Sequence, residues 1–178
     1  MNDFEWEEEP QDSAPCLSKF FKKMQRLENV VIRQFQGSVI VISDEKEEWY
    51  KNEEFHREDG PALSFKNGER RWYLHGELHR EDGPAIIFAD GQERWYFNGE
   101  LHREDGPAVI YPDGNQRWYL NGSHHRIDGP AVICPNNNLR WCFNDTMHRI
   151  DGPAAIYPDG QQHWYRYGEF VGRGDQNE

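Results

Sequence analysis

Trp49, Trp72, Trp95, Trp118, Trp141 and Trp164 stand 23 residues apart, and the tetrad Asp59-Gly60-Pro61-Ala62 returns with the same period at Asp82, Asp105, Asp128 and Asp151. A register that holds over five copies makes the repeat unit the thing that folds, each unit packing on its neighbours in the chain. Within one unit, Ala108-Val109-Ile110-Tyr111 is a short β-branched and aromatic run, Pro112-Asp113-Gly114 has turn chemistry, and Gln116-Arg117-Trp118-Tyr119-Leu120 is a second strand. Pro112 presets φ for a type I turn and Gly114 accepts the left-handed conformation after it, which predicts a three-residue hairpin loop with a bulge. Asp90-Gly91 and Asp159-Gly160 repeat that chemistry, and Asn136-Asn137 substitutes for it because Asn also tolerates positive φ.

Strand alternation then puts Ala108, Ile110, Trp118 and Leu120 on one face, and Val109, Tyr111, Arg117 and Tyr119 on the other. The stretch Asn121 to Pro130 reads as a wide turn back to the next unit. Short connections on both sides force sequential antiparallel strands. The expected fold is all-β, a single-layer curled antiparallel sheet of repeated hairpins advancing roughly 9.5 Å per unit. Like residues then fall into rows, and Trp95 is expected to stack between Trp72 and Trp118 in an aromatic ladder, each pair contributing about 0.5–1.5 kcal/mol beyond area burial.

Composition says why a ladder is needed. Only 36% of residues are hydrophobic while 14% are aromatic, too little aliphatic material for an ordinary core. Thirty-two acidic residues against 20 Lys and Arg give a formal net charge of -12, a field that repels phosphate backbones and argues against generic nucleic-acid binding. No apolar run approaches the ~20 residues that span a bilayer, and the acidic amino terminus is unlike a secretory signal. Cys16, Cys134 and Cys142 form no CxxC pair, which points to a reducing, cytoplasmic compartment rather than a disulfide framework.

Residues 1–48 fall outside the repeat. Residues 1–14 read as an acidic disordered tail. Residues 15–48 read as an amino-terminal cap: Leu17, Phe20, Phe21, Met24 and Leu27 recur at helical spacing opposite Lys19, Lys22, Lys23 and Arg26, and two strands, Val30 to Phe35 and Ser38 to Ser43, follow around Gln36-Gly37. The repeats occupy 49–171 and a short tail 172–178. Capping the sheet accounts for 16–28 better than docking on an anionic membrane, which the same pattern would also serve.

The combination of a Trp/Tyr strand, an Asn-Gly turn and an Asp-Gly turn, as in Trp95-Tyr96-Phe97-Asn98-Gly99 followed by Asp113-Gly114, resembles MORN (membrane occupation and recognition nexus) repeats over about residues 49–171. The longer His-Arg-Glu-Asp-Gly-Pro-Ala segment at 79–85 and 102–108 departs from the common motif and looks like repeat proteins of bacteriophages, giant viruses and some bacteria. The resemblance implies a single-layer, curled sheet that binds proteins or, in some members, lipids.

Repeated His and Asp invite a metal or acid/base reading, but equivalent histidines one unit apart, roughly 9.5 Å, cannot share a zinc ion held by bonds of about 2.0–2.1 Å. His79, Arg80, Asp82 and Gly83, with His102, Arg103, Asp105 and Gly106, are therefore read as a structural turn motif. In it Asp accepts backbone N–H bonds, Gly supplies unusual φ, Pro closes the turn and Arg pairs with a carboxylate. Cys134 and Cys142, which replace tyrosines of the preceding unit, are read as small buried residues without a mutual bond. No GxSxG, P-loop, HExxH or dinucleotide fingerprint anchors an enzyme reading, and no cofactor is implied. The sequence points instead to a non-enzymatic scaffold whose aromatic and acidic surface binds a protein partner, plausibly a viral protein acting on a host or virion protein, in one version by acidic mimicry of nucleic acid. The partner-binding residues expected are Trp72, Trp95, Trp118, Trp141, Tyr73, Tyr96, Tyr119, Arg94 and Arg117. The rival reading is small-ligand or nucleotide stacking on that Trp/Tyr/Arg face, and pairing of two copies into a homodimer is left open.

Overall fold

The computed structural model describes residues 30–174. The acidic tail and the helix expected over 16–28 lie outside the described residues. Three strands open the sheet: β1 (Val31–Phe35), β2 (Ser38–Ile42) and β3 (Lys46–Lys51). β1 and β2 pair through a tight turn at Gln36 and Gly37, whose φ values of 49° and 74° define the mirror-image turn that suits strand twist. Val39, Ile40 and Val41 are buried there.

From β3 onward the chain builds one open antiparallel sheet whose strands lie side by side in chain order. Within a unit Val109–Ile110 pairs with Gln116–Arg117, and Gln116–Arg117 then pairs with Val132–Ile133 of the next unit. The connecting loop is the one expected: Tyr111 N–H bonds to Asn115 O at 2.9 Å, Gly114 N–H returns to Tyr111 O at 3.0 Å, and Gly114 has φ of 88°. Asn137, φ 63°, fills the same place in its unit.

In the four central units the second half departs from expectation, whereas in the first and last units the strand runs on through Trp49 (Lys46–Lys51) and Trp164 (Gln162–Arg166). In a central unit the sheet does not run on through the tryptophan. It stops at Arg117, Trp118 keeps single backbone bonds to Ala131 O and from His125 N–H, and Tyr119–Leu120 pairs with Ser123–His124 as a separate two-stranded hairpin. Asn121 (φ 48°) and Gly122 (φ 78°) form a tight two-residue turn inside the stretch read as one wide loop. The same hairpin occurs at Tyr73–Leu78, Tyr96–Leu101 and Cys142–Met147. These hairpins form a second file along the sheet, joined by backbone bonds such as Gly99 N–H to Leu78 O and Gly122 N–H to Leu101 O, each 2.9 Å.

The file and the sheet meet at an alanine with no exposure: Ala62, Ala85, Ala108, Ala131 and Ala154 are all 0% exposed. Its carbonyl takes the N–H of the tryptophan 13 residues earlier, at 2.7 Å for Trp49 and 2.8 Å in the next four copies. Beside the alanines, Leu63, Ile86 and Val109 are buried against the arginine stems opposite them, Arg71, Arg94 and Arg117. The carboxy-terminal strand Glu169–Gly174 closes the sheet with a register shift at Trp164/Tyr165, a bulge that blunts an edge.

Because each unit touches only its neighbours, removing one whole unit, Trp95 to Arg117, should leave a shorter ribbon with the same far-ultraviolet circular dichroism shape and a lower melting temperature. Removing half of it, Trp95 to Gly106, should abolish the cooperative melt. Survival of the half-unit deletion with an unchanged spectrum would contradict the unit boundaries.

Candidate functional site: the turn edge and its arginine clamp

The segment His102-Arg103-Glu104-Asp105-Gly106-Pro107 carries the chain from the hairpin file back to the sheet. Its arginine does most of the bracing. The guanidinium carbon of Arg103 lies 4.2 Å from the ring centre of Trp95, eight residues earlier, and the corresponding distances are 3.9 Å for Arg57 and Trp49, 4.2 Å for Arg80 and Trp72, 4.1 Å for Arg126 and Trp118, and 4.2 Å for Arg149 and Trp141. In that position the cation is attracted by the negative face of the indole. Arg103 Nε donates to Asp105 Oδ1 at 2.8 Å and its Nη1 to Pro107 O at 3.4 Å. The other four copies make the same two bonds.

The expected pairing of arginine with a carboxylate is present in all five turns. One expectation about the motif is corrected: the turn glycines have no positive φ. What Gly106 supplies is room, since a Cβ there would fall 2.9 Å from the guanidinium carbon of Arg103, and a Cβ on each of the other four glycines would fall 2.8–3.0 Å from theirs. The guanidinium is held between an indole and a glycine backbone.

The tryptophan ladder is also corrected. Among the described residues no Trp–Trp ring contact occurs, and the first five indoles of the repeat are each covered by their own arginine. Trp164 lacks such an arginine, and Gly174 lies against it instead, where a Cβ would fall 2.8 Å from the ring.

The histidine bridges units. His56 Nδ1 accepts the N–H of His75 at 3.1 Å, and His148 Nδ1 that of Tyr167 at 3.1 Å. His79, His102 and His125 sit 2.7–2.8 Å from the side-chain oxygen of Asn98, Asn121 and Asn144. In every case the partner lies 19 residues on and holds the first positive-φ position of the next hairpin turn, so each turn motif fixes the backbone of the unit that follows.

Of the residues expected to bind a partner, Trp72, Trp95, Trp118, Trp141, Tyr73, Tyr96, Tyr119, Arg94 and Arg117 are all half-buried. Arg94 lies over Phe88 at 4.9 Å and Arg117 over Tyr111 at 5.2 Å; Tyr119 packs against His124 at 4.2 Å. Sequence reasoning missed the rim of the turn edge itself. Glu58, Glu81 and Glu104 have side chains 74, 81 and 84% exposed, and Ile127 and Ile150 take the same position in the next two copies. The rows of glutamate and isoleucine were visible at the 23-residue period.

Among the described residues no group of three His, Cys, Asp or Glu is placed to hold a metal ion. Cys134 and Cys142 are both free; Cys134 is half-buried and burial pushes the Cys142 thiol up from its ordinary value.

Two expected outcomes follow from the clamp. Arg103→Ala should cost about 1–2 kcal/mol from the lost cation–π contact, lowering Tm by roughly 2–8 °C in a chain of this size. Gly106→Ala should destabilise the native chain but cost little more once Arg103 is alanine. A thermal double-mutant cycle in which the two costs add would sever the glycine from the arginine. The second outcome concerns acid. The Nε–H bond and charge of each arginine hold Asp59, Asp82, Asp105, Asp128 and Asp151 below the usual carboxylate range. A depressed folded pKa stabilises the fold above the ordinary value of about 3.9 and loses that contribution as pH falls through the lower folded value. Chemical denaturation between pH 5 and pH 2 should therefore show stability falling, with a shallower slope in Asp105→Asn; an unchanged slope would remove the pairs from the acid response.

Compared with protein-family models, with curated proteins and with solved structures, the chain finds no match in any of the three.

Proposed function

We propose that the chain is a non-enzymatic, MORN-like repeat scaffold that binds a protein partner along the turn edge of its ribbon. One observation carries the reading: the indoles, the histidines and the turn arginines are engaged in bracing the fold, while five turns in succession hold their aspartate side chains 78–83% exposed at a constant interval. An edge of regularly spaced, solvent-facing side chains on a stiff backbone suits an extended partner that meets several units at once. The acidic surface favours a basic partner and fast, salt-sensitive association. A viral or phage setting, a cytoplasmic location and mimicry of an acidic polymer go with this reading.

Nucleotide or small-ligand stacking on the Trp/Tyr/Arg face has less support, since a guanidinium already lies over five of the indoles. Immobilised full-length protein should retain a discrete protein partner from a cell lysate at low ionic strength and release it as salt is raised. Thermal stabilisation by nucleotides in place of any retained protein would overturn the reading.

A further inference from the structure

The position between the arginine and the aspartate of the turn motif divides the edge in two. It holds Glu58, Glu81 and Glu104, then Ile127 and Ile150. Ile127 is 87% exposed and Ile150 66% exposed, and exposure on that scale forgoes much of the ~1.5–3 kcal/mol available from burying an isoleucine side chain. The hairpin file changes at the same point, with Glu54, Glu77 and Glu100 giving way to Ser123 and Thr146. Each aspartate beside this row is paired with its own arginine at 2.8–3.0 Å. The negative field of the first three turns therefore comes from the glutamates; each has its turn histidine's Nε2 at 3.4–3.9 Å, and Glu58 also has Lys51 at 3.8 Å.

The spacing of the row restricts what can lie on it. Two strands per unit set successive turns about 9.6 Å apart, or about 38 Å from Glu58 to Ile150. A polyproline II segment repeats a face every three residues, about 9.3 Å, and covers four steps in about 37 Å. An α-helix repeats nearly the same face every seven residues, about 10.5 Å, and overshoots the row by about 4 Å. An extended β-segment puts residues three apart on opposite faces. A polyproline II segment also has no internal hydrogen bonds to resist bending along a twisted row.

We propose that the turn edge is a docking surface for a polypeptide in polyproline II conformation, with basic side chains at every third residue over Glu58, Glu81 and Glu104 and apolar side chains at the same interval over Ile127 and Ile150. This rests on the scaffold reading and names the partner's chemistry. The glutamates draw the basic part and set its salt dependence; the isoleucines supply the apolar contact that salt does not weaken.

The test uses full-length protein and two labelled synthetic peptides read by fluorescence anisotropy. One carries Lys at its first, fourth and seventh residues and Ile at its tenth and thirteenth, with Pro between; the other carries the same side chains seven residues apart in an alanine-rich helix. The first peptide should bind at least tenfold more tightly than the second. Its affinity should fall at least tenfold with Glu58→Lys/Glu81→Lys/Glu104→Lys, and severalfold with Ile127→Ser/Ile150→Ser in high salt, where the charge attraction is screened. All of these side chains are exposed, so thermal melts of both variants should match the parent. No binding of the first peptide, tighter binding of the helical one, or indifference to both variants overturns the proposal. If the parent protein still retains a partner from lysate in that event, the scaffold reading stands and only the partner chemistry is lost; if it retains none, both fall.

Discussion

The contact on which this architecture depends is a guanidinium lying on an indole. An arginine side chain has five N–H donors and a flat, weakly hydrated face, and here each part has a place. The face meets tryptophan, Nε meets aspartate, Nη1 meets the proline carbonyl, and the far side rests where a glycine leaves space. The clamp joins residues on both sides of the break between hairpin file and sheet. It holds the tryptophan backbone where its N–H meets the alanine carbonyl. Without the clamp the two files would be connected by chain continuity and by the backbone bonds that recur in each unit, tryptophan N–H to alanine O and histidine N–H to tryptophan O.

That arrangement explains how a chain with 36% hydrophobic residues can be ordered without a conventional core. Its apolar burial is a narrow line of alanine with leucine, isoleucine and valine, covered by arginine stems and aromatic rings. Polar contacts set the spacing between units: histidine to the next hairpin turn, arginine N–H to the next tyrosine carbonyl at 3.1–3.2 Å where the partner is Tyr73, Tyr96 or Tyr119. Each junction repeats the last one, so the surface inherits the period and the exposed side chains become a ruler.

Much of this was legible in the residues. The 23-residue period, the hairpin loop at Pro112-Asp113-Gly114 and the serial antiparallel order all follow from local chemistry and short connections. The break between sheet and hairpin at the tryptophan did not, because Gln116 to Leu120 has the β-propensity of one continuous strand and nothing local says that the regular pairing is interrupted at Trp118. Asn121-Gly122 is a strong hairpin signal, but the Gly and Pro positions that follow it, up to Pro130, also read as one wide loop. The Trp–Arg contact was encoded as a constant separation of eight residues, yet only the intervening hairpin brings the two together. The histidine bridge was likewise present as a constant spacing of 19. Like residues in adjacent units also suggest stacked tryptophans, whereas an arginine lies over five of the rings.

Nuclear magnetic resonance of the arginine side chains would test the clamp most directly. An Nε–H held over an indole and bonded to a carboxylate should give a resolved signal, shifted upfield by the ring current and slow to exchange with water. The account predicts such signals for Arg57, Arg80, Arg103, Arg126 and Arg149. Averaged, fast-exchanging signals at ordinary arginine positions for these five would contradict it.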